Sequence, residues 1–244
     1  MSIFNIFWFD SLHSTQDYLK KSNFCSLPEW TVVVTKEQKK GKGQGQNVWE
    51  AQKGENLTFS LLLYPKFLQA RDQFLITQIL SLGIYDFLSK YLSDVFIKWP
   101  NDIYIGKKKI CGILVQNQIM GSDYEAVYCG IGININQTDF SFAPNPTSLK
   151  IELNINFDIE ILLQEVLDCI RLRYETLKYN KLPDYKKEYL DRLLFYNTWE
   201  NYIFNDYETI EAKIIDVDNF GRLILEKRSG MTVISDLKQL KFLF

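Results

Sequence analysis

Residues 94–114 read Asp-Val-Phe-Ile-Lys-Trp-Pro-Asn-Asp-Ile-Tyr-Ile-Gly-Lys-Lys-Lys-Ile-Cys-Gly-Ile-Leu, and no other stretch restricts the fold as much. The apolar run 94–97 reads as a strand. Pro100-Asn101-Asp102 turns the chain, 103–105 make a second short strand, Gly106 turns it again, and a third strand enters from Lys109. Lys98 and Lys109 therefore sit beside strand ends, where a cation is held in place, and a preorganised cation is what an anionic transition state needs. Lys107 and Lys108, at the turn itself, read as solvated surface lysines.

The rest of the chain can support such a sheet. With 244 residues, 46% of them hydrophobic and 15% aromatic, a sizeable core is within reach, as one large domain or one domain plus a small appendage. The net charge is −2, from 28 basic and 30 acidic residues. That balance speaks against a general binder of nucleic acid or of membrane surfaces, so any anion site must be local. Cys25, Cys111, Cys129 and Cys169 are widely spaced and form no paired motif, which fits a reduced, cytoplasmic setting rather than a disulfide or metal framework. No apolar run reaches the length of a membrane span, and the N-terminus lacks a signal-peptide pattern.

In chain order, residues 3–9 read as a strand, followed by a helix opening at Ser14-Thr15-Gln16-Asp17, where Ser14 and Asp17 make a capping-box pattern. Alone, these residues merely cap; a strand-to-helix junction also presents hydroxyls and free amides to a small polar ligand. His13 is the only histidine and has no partner in sequence, so it stays outside the site. Residues 30–35 form a β-branched strand. Gly41-Lys42-Gly43-Gln44-Gly45-Gln46 follows, with Lys39 and Lys40 before it. Glycines let a backbone approach phosphate closely, although this loop is neither a Walker nor a Rossmann motif. The loop leads through Gly54 into an apolar strand ending near Leu63. Residues 71–92 have helical periodicity with nothing catalytic on the face. A hairpin from Lys109 to about residue 135 ends in Gly130-Ile131-Gly132-Ile133-Asn134, whose alternating small residues suit close approach by a flat ligand or another backbone.

Together, Ser14-Thr15, Gln38, Gly41-Lys42-Gly43-Gln44, Trp49, Gly54-Glu55-Asn56-Leu57, Lys98-Trp-Pro-Asn-Asp102, Lys109-Ile-Cys-Gly112-Ile-Leu and Gly132-Ile-Asn134 resemble the biotin protein ligases in order and spacing, over essentially the whole chain. The resemblance implies activation of biotin with ATP to biotinyl-5′-AMP, release of pyrophosphate, and transfer of biotin to a lysine of a biotin carboxyl carrier protein. It also implies an α+β fold. A central mixed sheet flanked by helices, like that of class II aminoacyl-tRNA synthetases, would occupy 1–195. A small C-terminal SH3-like β-barrel would occupy 196–244, where short strands near 209–216, 222–226, 231–235 and 238–242 alternate with turns. Since the first strand starts at Ile3, no room is left before it for the DNA-binding segment some family members carry.

Site roles follow the same resemblance. Ser14, Thr15, Gln16 and Gln38 would bind the biotin ring head. Lys42, Gly43 and Gln44 would close over the biotin carboxylate and the phosphates, with Gly112 completing the biotin pocket. Trp49 would pack over the intermediate, and Lys109 would be the central catalytic cation, assisted by Lys42. Lys98 and Asn134 would serve ATP, and Asp102 would contact Mg²⁺. The loop departs from the family's Gly-Arg-Gly pattern. Lys42 replaces the first arginine, Gln44 the second, and Gly45-Gln46 inverts the later positions. Lysine supplies a point charge without the bidentate fork of arginine. Pro146 stands about where a family aromatic can stack on adenine.

Residues 158–178, capped by Asp158, and a segment from Pro183 to about Leu194 read as helices. A lipoate or octanoate transferase of the same fold is the competing enzyme reading, and a non-catalytic biotin-binding module the competing reading of another class. No nucleic acid or membrane partner is expected, and the chain would act as monomer or homodimer.

Overall fold

The computed structural model describes residues 3–21, 27–45, 47–179, 184–237 and 239–243. Cys25, Gln46 and the proposed helix start at Pro183 lie outside them.

Seven strands form the main sheet: β1 (Asn5–Phe9), β2 (Thr31–Thr35), β3 (Asn56–Leu63), β4 (Val95–Lys98), β5 (Asp102–Ile105), β6 (Lys108–Met120) and β7 (Asp123–Asn134). Their order is β1-β2-β3-β7-β6-β5-β4. Only β1 and β2 run parallel; every other pair is antiparallel, so the sheet is mixed. Residues 94–114 make its far edge and the turn into its centre, as their pattern predicts.

The side-chain alternation of the central strands decides where the core and the site lie. On β3, Phe59, Leu61 and Leu63 join the main apolar cluster; on β7, Cys129, Ile131 and Ile133 do the same. Helices α2 (Phe74–Leu88) and α4 (Ile159–Tyr179) cover that face. On the opposite face the same strands carry Thr58, Ser60, Gly130 and Gly132. Large aliphatics on one face and small or hydroxyl residues on the other give a packed core behind an open floor. The short helix α1 (Thr15–Lys21) lies across this second face, against β2, β3 and β7. Its start follows the capping reading, since Ser14 Oγ accepts the Asp17 N–H at 3.3 Å. Asp158 likewise caps α4 through the N–H groups of Glu160 and Ile161.

Two helices complete the set. Helix α3 (Leu149–Leu153), capped by Ser148, comes after the proline-rich stretch and was hidden in the sequence by it. Helix α5 (Tyr185–Asp191), capped by Asp184, lies within the segment expected to be helical.

The C-terminal strands require a correction. Beside the expected β9 (Glu208–Val217), β10 (Leu223–Lys227), β11 (Thr232–Ser235) and β12 (Leu240–Phe242) there is a further strand, β8 (Trp199–Phe204). The order is β11-β10-β9-β8-β12. This is an open antiparallel sheet, not an SH3-like barrel. Closure needs the two outermost strands to pair. Among the described residues β11 bonds only to β10 and β12 only to β8. With four and three residues, the outer strands are also short. The open sheet packs its apolar side, including Tyr202, Ile210, Ile214 and Leu225, into the same cluster as the main core. Trp99 ties the two sheets by donating its indole N–H to Gly221 O at 2.8 Å.

Candidate active site

The second face of the main sheet holds a cavity floored by β3, β6 and β7. It is walled by the start of α1 and covered by residues 42–44 and 47–49. Ser14, Thr15, Gln16, Gln38, Lys42, Gly43, Gln44, Trp49, Asp102, Lys109 and Gly112 all line it. Of the positions to which the sequence assigned a role, Lys98 and Asn134 lie elsewhere; Thr58, Ser60, Asn47 and Asn101 join the wall without having been anticipated.

One end of the cavity is polar and buried. Ser14, Thr15, Gln16 and Ser60 are each at most 4% exposed. Gln38 Oε1 accepts from the Thr15 N–H at 2.9 Å and from Thr15 Oγ1 at 3.3 Å, and Thr15 Oγ1 lies 2.8 Å from Ser60 Oγ. Gln16 Nε2 donates to the carbonyls of Leu114 and Tyr128 at 3.0 and 2.9 Å.

The other end is charged. Lys109 Nζ stands 2.6 Å from Asp102 Oδ2 and 5.8 Å from the centroid of the Trp49 ring. The bulged pairing of β5 with β6 brings Asp102 beside it. The main chain of Lys109 is clamped on both groups, its N–H bonded to Asn145 O and its carbonyl accepting from Thr147 N, each at 2.8 Å. Its neighbours are surface lysines, as their place at the turn predicts: Lys107 is exposed and the side chain of Lys108 is 44% exposed. Lys108 pairs with Glu152 at 2.5 Å, and Lys107 lies over the Phe195 ring.

Trp49 lies flat on the floor because two glycines make room for it. Gly112 and Gly132 face each other across β6 and β7. A Cβ on Gly132 would collide with the indole, and one on Gly112 would come within 3.0 Å of it. Lys42, which also lines this cavity, is paired with Asp17 of α1 at 2.7 Å, an exposed pair.

A second cavity opens beyond Trp49. It shares Asn47, Val48, Trp49 and Lys109 with the first and adds Asn134, Phe140, Phe142 and Pro146. Phe140 and Phe142 bring aromatic surface where the sequence showed only Pro146. Trp49 Nε1 and Asn134 Oδ1 are buried without a hydrogen-bond partner. Buried polar atoms are seldom left so, and a donor with an acceptor beside an open cavity suits a heterocyclic ligand. Glu50 braces this cavity's outer loop, accepting from the backbone N–H groups of Ser141, Phe142 and Ala143 at 2.6, 3.0 and 3.1 Å. Burial pushes its carboxyl pKa up, and these donors more than reverse that, leaving it lowered. Lys98 is half-buried between the Tyr104 ring and Phe242 of the C-terminal sheet, 5.7 and 4.7 Å away. Burial lowers its pKa, against the pull of Asp102.

Among the described residues no three His, Cys, Asp or Glu side chains cluster as a metal cage. Asp102 faces Lys109, so a divalent ion at this site would depend on phosphate oxygens for its other ligands.

The model of the biotin/lipoate A/B protein ligase family matches residues 8–134. The chain belongs to this family. It is 29% identical to the bifunctional ligase/repressor BirA of Bacillus subtilis (strain 168), over 94% of this chain and 72% of that one. It is 33% identical to the chloroplastic biotin–protein ligase 1 of Arabidopsis thaliana, over 52% of this chain and 35% of that one. Among solved structures it resembles the Aquifex aeolicus biotin protein ligase in complex with biotin and ATP, with TM-score 0.79, 24% identity and 97% coverage of each chain. It also resembles the Helicobacter pylori biotin acetyl coenzyme A carboxylase synthetase with bound biotinylated ATP, with TM-score 0.60, 26% identity, and 95% and 100% coverage.

Proposed function

We propose that this chain is an ATP-dependent biotin protein ligase. It activates biotin as biotinyl-5′-AMP and transfers the biotinyl group to a lysine of a carrier protein, a biotin carboxyl carrier domain being the acceptor. The observation that carries this reading is the continuity of three environments: the polar end at Thr15 and Gln38, the Lys109–Asp102 pair, and the aromatic second cavity, with Trp49 between them.

The residues divide the work by chemistry. The polar end takes the ring head of biotin, with Ser14, Thr15, Gln16 and Gln38 as hydrogen-bonding groups. The carboxylate tail reaches Lys109. There a carboxylate oxygen attacks the α-phosphorus of ATP, the bond to the β-phosphate oxygen breaks, and pyrophosphate leaves. Lys109 draws two anions together and neutralises charge on the crowded phosphorus. Lys42 and Gly43 of the covering loop add a cation and backbone donors, once Lys42 leaves Asp17. Asn134 and Trp49 offer their open hydrogen-bonding atoms to the nucleotide, and Lys98 adds background positive charge. Mg²⁺, bound chiefly through the phosphates with Asp102 beside them, would offset negative charge. In the second step the acceptor's neutral amine attacks the acyl carbon, the bond to the AMP oxygen breaks and AMP leaves, and the nitrogen gives up one proton to solvent.

No helix of the described residues is long and apolar enough to cross a membrane. A cytoplasmic setting, a monomer or homodimer, and a boundary near residue 195 between catalytic and C-terminal units belong to the same reading.

Biotin-dependent exchange of labelled pyrophosphate into ATP tests the first step. Exchange with biotin and none with lipoate is expected. Exchange with lipoate alone would reassign the chain to the lipoate branch, and biotin binding without exchange would make it a binding module.

A further inference from the structure

Ser60 is a lone hydroxyl within the apolar run Phe59-Ser60-Leu61-Leu62-Leu63 and is fully buried. Its side chain points to the cavity face, away from the core cluster that takes Phe59 and Leu61. Only one proton arrangement satisfies its contacts. Gln38 Oε1 can only accept, so the Thr15 hydroxyl donates to it at 3.3 Å. Thr15 Oγ1, its own proton committed, must then accept from Ser60 Oγ at 2.8 Å. Gln38 Oε1 thus carries two donors, the second from the Thr15 backbone at 2.9 Å. The amide orientation is set by these partners, which leaves Gln38 Nε2 as a donor.

The orientation of Gln16 is settled in the opposite sense. Its Nε2 faces the carbonyls of Leu114 and Tyr128, neither of which can donate. Its Oε1 is therefore left as an acceptor. The buried end of the cavity offers one amide donor and one amide acceptor, each locked by backbone groups of other elements.

We infer that Ser60 is a positioning residue for specificity: by donating to Thr15 Oγ1 it commits the Thr15 hydroxyl to Gln38 Oε1, a second donor that reinforces the Thr15 backbone N–H in holding Gln38 Nε2 as a donor; with the Gln16 acceptor in the same cavity, the arrangement matches a cyclic urea, with its carbonyl and N–H groups, and mismatches a dithiolane. This rests on the ligase reading above. A dithiolane would give the Gln38 Nε2 donor and the Gln16 Oε1 acceptor no ligand partner, and sites built to hydrogen-bond a ligand reject analogues lacking the group strongly.

The test is steady-state pyrophosphate exchange by Ser60→Ala, Ser60→Cys and Ser60→Thr, with thermal stabilisation by biotin as a second measurement. Ser60→Ala is expected to raise KM for biotin by about tenfold. Its kcat should stay within about threefold, with KM for ATP unchanged, because the hydroxyl touches neither phosphate nor Lys109. Ser60→Cys, close in size but a weak donor, should resemble Ser60→Ala, which separates lost hydrogen bonding from lost volume. Ser60→Thr, which keeps the hydroxyl, should recover most of the biotin affinity. An unchanged KM for biotin in both Ser60→Ala and Ser60→Cys would overturn the inference, as would equal losses in kcat and in KM for ATP. Wild-type protein showing no biotin-dependent exchange would defeat the ligase reading itself, and this inference with it.

Discussion

The ammonium of Lys109 sits 2.6 Å from the carboxylate of Asp102, with the two side chains 24% and 25% exposed. The pair is neither solvated nor sealed, so an incoming anion can take over the cation without a large desolvation cost. Lys109→Ala is predicted to lower the rate of biotin-dependent exchange on the order of a hundred- to a thousand-fold, the range expected for a group acting on transition-state charge. Asp102→Asn keeps the cation and should cost less. Stopped-assay kinetics with a circular-dichroism melt separates these losses from unfolding.

Lys42 is held by Asp17 at 2.7 Å in an exposed pair, with side chains 52% and 34% exposed. Such a pair contributes about 0–1 kcal/mol to stability, so Lys42→Ala should leave the melting temperature nearly unchanged. The exchange rate should nevertheless fall, because the loop loses its cation. Lys42→Arg supplies the fork that lysine lacks and is predicted to slow release of biotinyl-AMP, measured by rapid dilution of the preformed complex.

Glu50 fastens the loop carrying Phe140 and Phe142 through three backbone N–H groups. Its folded-state pKa is lowered. The fastening is therefore fully present above the unfolded carboxyl value of about 4.3 and is lost as pH falls through the lower folded value. Glu50→Gln removes the charge at every pH. It is predicted to raise KM for ATP several-fold near neutrality while leaving KM for biotin unchanged, a split read directly from initial rates.

Lys98 lies under Phe242 with a pKa lowered by burial. A lysine lowered on folding binds fewer protons in the native than in the unfolded state between the two values. Its cost to stability is greatest below the folded value and fades as pH rises toward the unfolded value of about 10.4. Lys98→Met should therefore melt higher than wild type near neutrality, with the gap narrowing at alkaline pH. The exchange rate should fall, since a positive charge near the phosphates is gone. A pH series of thermal melts checks the first expectation.

These relationships differ in how far they can be read from sequence alone. The strands around Lys98 and Lys109 were legible because apolar alternation is punctuated by Pro100 and Gly106. Helix α1 was legible because Ser14 and Asp17 form a local cap. Local signals of this kind depend on residues three or four apart. The Ser60–Thr15–Gln38 chain joins residues up to 45 positions apart, and Glu50 reaches Ser141 across 91. Nothing in the neighbourhood of either residue announces the partner. The C-terminal barrel failed for the same reason. Strand propensity in 199–242 is local, whereas closure depends on whether Thr232–Ser235 meets Leu240–Phe242, and each instead pairs with a different inner strand. Helix α3 was missed because Pro144 and Pro146 signal a turn strongly enough to mask the short helix that Ser148 caps.

The most direct measurement of the central claim is intact-mass analysis of a purified biotin carboxyl carrier domain after incubation with the chain, ATP, Mg²⁺ and biotin. The account predicts one biotinyl group on one carrier lysine, dependent on ATP, nearly abolished by Lys109→Ala and not replaced by a lipoyl group when lipoate is supplied. A carrier left unmodified by folded, biotin-binding wild-type protein, or one modified equally well by Lys109→Ala, would contradict it.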